Sequence, residues 1–140
     1  MRLYEPYSLA LWGLLVIIVT MIIQAFIAMN IKASQPGAMP GKIDPALSHS
    51  SFVYRAHRTF MNSLENTPMM LASCFLAILM GTPVFWTGLL IWIYAIARIL
   101  HMILYYVIAT EKNPSPRSIF FMAGFISNLV LLGFIAVSLV

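Results

Sequence analysis

Arg55, Arg58, Asn62 and Glu65 stand three, four and three residues apart, and each can bind a charged or polar group. At about 100° per residue, those intervals keep all four on one helix face. A second stripe, Tyr94, Arg98, His101 and Tyr105, recurs at four, three and four residues in a stretch that holds no other charged side chain. An arginine at membrane depth costs about 3 kcal/mol or more against lipid, so Arg98 must face the protein interior or a watery cleft. Arg55, Arg58 and Arg98 outnumber the one acid in the stripes, Glu65. That positive surplus suits an anionic ligand with carboxylates, held by charge-assisted hydrogen bonds.

Each residue alone has an ordinary reading. Arg55 and Arg58 can anchor a helix end to lipid phosphates, Glu65 can neutralise Arg98 as a structural ion pair, and His57 stands off the stripe as an interfacial side chain. Two stripes of complementary chemistry on neighbouring helices, near the same membrane side, favour a binding site over these separate roles. A third element is Ser115-Pro116-Arg117-Ser118, which has the form of an N-cap serine followed by proline at the first helical position. Arg117 then falls in the first turn, where free backbone N–H groups and the helix dipole already favour an anion. Such a corner, with the Ser118 hydroxyl beside it, can lower the pKa of a bound thiol and stabilise its thiolate. The plainer alternative is that Arg117 is a basic anchor on a cytoplasmic loop.

Other reactive side chains offer less. The single Cys74 excludes an internal disulfide and lies mid-span among apolar residues, where a thiol is inert. His49, His57 and His101 have no metal-ligand spacing, so no metal is expected. The ten methionines suit core and lipid-facing positions, and Trp12 and Trp86 fall near span ends as interfacial anchors.

The elements that position these residues follow from composition. The chain has 140 residues, 61% hydrophobic and 9% charged, with a mean hydropathy of +0.92. Soluble domains carry about 25% charged residues, so a water-exposed globule is excluded. At about 20 residues per span, the length accommodates one all-α membrane domain over residues 1–140. Its spans are expected at about 8–29, 58–80, 84–109 and 118–139, with a polar loop at 30–52. The purely apolar part of the second span, Pro68 to Met80, is too short to cross alone, so that helix must take in the polar segment from about Ser51. No signal-peptide cleavage pattern interrupts the first stretch, which is expected to stay as a helix.

Lys32, Lys42, Arg55, Lys112 and Arg117 belong to the first and third loops, against Arg2, with Glu5 nearby, on the other side. The positive-inside rule then places those loops in the cytoplasm and both termini on the non-cytoplasmic side, in a bacterial inner membrane or an endoplasmic reticulum alike. The net charge of +4 belongs to this loop bias and points to no nucleic-acid partner.

The run from Arg55 to Glu65 resembles the helix-two signature of the MAPEG family, the membrane-associated proteins of eicosanoid and glutathione metabolism, with Tyr54 where the family usually has Glu. Arg98-x-x-His101-x-x-x-Tyr105 and Pro116-Arg117-Ser118 are similar to the third helix and the fourth-helix start of its prostaglandin E synthase branch. Phe121 stands where that branch has an aromatic hydroxyl, which counts against prostaglandin isomerisation more than against thiol activation. The resemblance covers nearly the whole chain. It implies a four-helix transmembrane bundle assembled as a homotrimer, with glutathione as co-substrate between neighbouring subunits on the cytoplasmic side. By matching position, Arg58, Asn62, Glu65, Arg98, His101, Tyr105, Arg117 and Ser118 would form or support that site, with Arg55 and Lys32 as outlying members. The glutathione carboxylates would meet the arginines, its ammonium Glu65, and its thiolate Arg117, with Ser118 as an auxiliary donor.

The activity this implies is glutathione transfer, with or without peroxidase activity, to a hydrophobic electrophile drawn from the bilayer. The alternative is a non-catalytic lipid-binding or lipid-presenting protein of the family's lipoxygenase-activating type. Arg117 alongside the other arginines favours the enzyme, because a lipid presenter has no need of a thiolate corner. A small transporter would carry an acid in its first span, and residues 8–29 hold none.

Overall fold

The computed structural model describes residues 5–140, so the sequence expectation for Arg2 lies outside the described residues. A short 3-10 turn, Glu5–Tyr7, leads into four helices: α1 (Ser8–Ala33), α2 (Phe52–Leu79), α3 (Val84–Val107) and α4 (Pro116–Ser138). Among the described residues there is no strand. Three helices, α1 with its leading turn, α3 and α4, are long and apolar enough to cross a bilayer. The chain is a multi-pass integral membrane protein.

The fourth helix is the instructive one. α2 is the longest of the four at 28 residues, about 42 Å at 1.5 Å per residue, yet it falls short in apolarity because its N-terminal half is polar. It is shielded by position: α2 packs against α1, α3 and α4, and α3 likewise touches all three of its companions. The two helices that carry the polar stripes are thus the inner pair, and the apolar α1 and α4 flank them.

Successive helices run antiparallel, which sorts the side chains by end. The apolar core, including Leu14, Met70, Cys74, Ile91 and Leu131, occupies the end where α1 and α3 begin and α2 and α4 finish. Here α1 and α3 approach closely at two glycines. A Cβ on Gly13 would lie 2.9 Å from Ile91 Cγ2, and one on Gly88 would lie 2.8 Å from Leu9 Cδ2. Small residues at a membrane helix crossing let the backbones approach and gain dispersion contact. Trp92 Nε1–H donates to the Leu9 carbonyl at 3.0 Å across the same crossing. The α2–α3 turn is closed by Gly81 at φ +65° and by the Thr82 hydroxyl, 2.7 Å from that of Thr87.

At the opposite end, α1 continues to Ala33 and carries Lys32 in its last turn, so the polar connection starts one helical turn later than expected from composition. α3 stops at Val107, and α4 starts at Pro116 behind Ser115 in extended conformation. Proline at that first position lacks only an N–H that would have had no partner in the helix.

Candidate functional site

Three of the four stripe residues of α3, Tyr94, Arg98 and His101, are buried, and Tyr105 sits at the helix end in partial exposure. Arg98 is 3% exposed. Its Nη2 donates to Asn62 Oδ1 at 2.8 Å and to Ser63 Oγ at 3.0 Å, both on α2, while its Nε has no partner. Among the described residues no carboxylate lies within ion-pair distance of it; Glu65 is instead 3.9 Å from Arg58. The guanidinium is therefore held by neutral acceptors only, an arrangement that leaves a buried positive charge uncompensated.

Arg117 is the second buried cation, 6% exposed in the first turn of α4. Its Nη2 donates to the Thr110 carbonyl at 2.9 Å and its Nε to Ser115 Oγ at 3.2 Å. The guanidinium carbon stands 4.1 Å above the Tyr105 ring, a cation–π contact that fixes the plane of both groups. Nη1 is left without a partner. Ser118 Oγ accepts the Ser115 N–H at 3.1 Å, so its own proton stays free to be donated elsewhere.

These groups meet in one cleft of about 420 Å³, within the roughly 300–1,000 Å³ range of small-molecule sites. Asn62 comes from α2, His101 and Tyr105 from α3, and Arg117 and Ser118 from α4. Arg98 lies behind Asn62 through their hydrogen bond. His101 Nδ1, like Arg98 Nε and Arg117 Nη1, is buried without a partner.

The sequence profile of the MAPEG family matches residues 9–137, a span that runs from the first turn of α1 to the last turn of α4 and includes every one of these side chains. This chain belongs to the MAPEG family. No curated protein and no solved structure matches it. Membership makes it a membrane protein of a family concerned with eicosanoid and glutathione metabolism, one that holds both glutathione transferases and members without enzymatic activity.

Not every site residue expected from the sequence of this MAPEG protein reaches the cleft. The inward face of α2 runs through Thr59, Ser63, Thr67 and Met70, one position on from Arg58 and Asn62. The polar stripe therefore lies on the flank of the helix, with Asn62 at its inner edge. Arg58 and Glu65 face each other on the outer side, with side chains 37% and 53% exposed. Arg55 is a brace: Nη1 donates to the carbonyls of His49 (2.7 Å) and Ser50 (3.0 Å), and Nη2 to that of Tyr106 (3.3 Å). Lys32 lines separate grooves beside the first loop, with Met39 and Lys42 among the neighbours.

The MAPEG cleft also contains two residues that spacing did not single out. His49, at the end of the first loop, grips Glu111 of the third loop twice. Its backbone N–H donates to Oε1 at 2.9 Å and its Nδ1 lies 2.6 Å from Oε2. Its Nε2 is 3.0 Å from the Tyr105 hydroxyl. The His49 backbone N–H first, and then its ring, hold the Glu111 carboxyl below the usual carboxylate range. Nothing periodic links positions 62 residues apart, so no local pattern could have revealed the pair.

Proposed function

We propose that this protein is a glutathione transferase that joins the glutathione thiolate to a hydrophobic electrophile from the bilayer. The observation that carries this reading is the set of buried polar atoms without partners, on Arg98, His101 and Arg117, gathered at one cleft in which neither Arg98 nor Arg117 forms an ion pair among the described residues. Two buried guanidinium groups with spare N–H donors fit a ligand that brings several anionic groups, as glutathione does with two carboxylates and a thiolate.

In the reaction, Arg117 holds the thiolate at the start of α4, where the helix dipole adds to its charge. Ser118 donates a hydrogen bond from its free hydroxyl to the same sulfur. The sulfur then forms a bond to the electrophilic carbon, and the leaving group departs with its electron pair. Arg98, with Asn62, takes a glutathione carboxylate, and Glu65 takes the ammonium. The cleft of one chain does not include Arg58, Glu65 or Lys32; in the homotrimer the family resemblance implies, these are residues a neighbouring subunit brings to a shared site. The basic first and third loops favour the cytoplasmic side for that site.

Calorimetry of the detergent-purified protein with glutathione tests the reading. Saturable binding is the expected result. Its absence would overturn the transferase and leave the lipid-presenting alternative.

A further inference from the structure

The His49–Glu111 grip has a chemical direction. An ionised carboxylate only accepts hydrogen bonds, so the proton between Glu111 Oε2 and His49 Nδ1, 2.6 Å apart, belongs to the ring. In neutral imidazole the other nitrogen is then an acceptor. With the ring in that neutral tautomer, Nε2, 3.0 Å from the Tyr105 oxygen, accepts the hydrogen bond of the phenol. That leaves the lone pairs of the Tyr105 oxygen without a donor, on a residue that lines the cleft and is in direct contact with Arg117.

Resting on the transferase reading, we infer that Glu111, His49 and Tyr105 form a proton relay for the thiol of the bound tripeptide. The S–H proton moves to the Tyr105 oxygen as the Tyr105 proton moves to His49 Nε2. The products are a thiolate beside Arg117, an unchanged phenol, and an imidazolium paired with the Glu111 carboxylate. With an aryl halide, the S–C bond forms, halide leaves with the bonding electrons, and the imidazolium returns its proton to water. With an activated alkene, the same proton completes the new C–H bond. Tyr105 touches the reacting sulfur; Glu111 is a positioning residue that fixes the ring tautomer and stabilises the charged imidazole.

The surroundings of His49 are mixed. Glu111 faces it from the third loop and Tyr105 from α3, Tyr54 of α2 meets its ring edge-on at 4.9 Å, and Arg55 of α2 binds its carbonyl. Arg117 of α4 reaches it through Tyr105, and Lys112 lines the same cleft. The one anion among these groups is Glu111, so Glu111→Gln leaves no negative charge opposite the ring.

The test follows the thiolate absorbance of the glutathione complex, near about 240 nm, as a function of pH. It is measured for the full-length protein and for Glu111→Gln, His49→Gln and Tyr105→Phe. S-methylglutathione, which has no thiol proton, reports binding separately. The relay requires the midpoint of thiolate formation to rise by about one pH unit in each variant, and the single-turnover conjugation rate to fall about tenfold at neutral pH. S-methylglutathione affinity should stay within about twofold of wild type. Unchanged midpoints with intact S-methylglutathione binding would overturn the relay and reduce the bridge to a staple between loops. Loss of S-methylglutathione binding in a folded variant would also overturn it, because the residues would then be ligand anchors. If the loop variants fail to fold, Tyr105→Phe decides alone, since it removes one oxygen and leaves the His49–Glu111 grip in place. A wild-type protein that binds neither glutathione nor S-methylglutathione would overturn the transferase reading, and the relay with it.

Discussion

The two ends of the bundle solve different problems with the same four helices. Where both described termini lie, α1 and α3 touch through Gly13 and Gly88, and Leu131 and Ile91 are fully buried among apolar neighbours. Where the long loops lie, the buried side chains include Arg98, His101 and Arg117, each with a polar atom left unpaired. Apolar burial and dispersion stabilise the first end. Buried positive charge destabilises the second. A membrane bundle concerned only with stability would repeat the first end twice, and the difference is what the proposed binding site would require.

Substitutions that separate stability from binding can break this comparison. The largest effect is expected at the apolar end, where Leu131→Ala should lower unfolding stability by about 3 kcal/mol. Thermal unfolding in detergent measures it, and glutathione affinity by calorimetry should not change. A loss of affinity there would show that the two ends are coupled. Next comes Arg117→Ala, expected to abolish thiolate absorbance at pH 7 and to slow conjugation of an aryl halide by about a hundredfold, or about 2.7 kcal/mol. Binding should remain through the α2 and α3 residues, and Ser118→Ala should cost less because it removes a neutral donor. Equal losses of binding and rate in Arg117→Ala would make Arg117 an anchor.

Arg98→Leu should weaken glutathione binding by about tenfold, through loss of a desolvated charged partner. The melting temperature should not fall, because an uncompensated buried charge leaves with it. Wild-type affinity in Arg98→Leu would make that arginine purely structural. The smallest effect concerns pH. The Glu111 carboxyl has a lowered folded-state pKa, so its bridge to His49 contributes stability above the unfolded carboxylate value of about 4.3. That contribution disappears as pH falls through the lowered folded value. Acid melting curves of wild type and Glu111→Gln should therefore differ near neutrality and converge below that window. Curves separated by a constant amount down to the lowest pH would show that the bridge contributes nothing through its charge.

How far the sequence revealed this arrangement depends on what spacing can encode. Tyr94, Arg98, His101 and Tyr105 lie on one face because helix geometry leaves no other choice, and Ser115-Pro116 announces the start of α4. Spacing defines a face but not the rotation of that face against a neighbour. The stripe of α2 is therefore real but lies on its flank, and Arg98 meets Asn62 and Ser63 instead of Glu65. Arg55 looked like an anion binder because its backbone acceptors, at 49, 50 and 106, are set by loop closure. The His49–Glu111 pair was invisible for the same reason.

The Arg55 brace also bears on what the covalent chain contributes. α1 is held to α3 by the glycine crossing and the Trp92–Leu9 hydrogen bond. The far end of the first loop is held to α3 independently, by Arg55 and by His49. Between these two attachments the connection is exposed, with glycines at positive φ at positions 37 and 41. A peptide bond cut between Gly37 and Gly41 would sever the chain without releasing either fragment. The protein could then be assembled from two separately synthesised pieces, one of them little more than a single apolar helix.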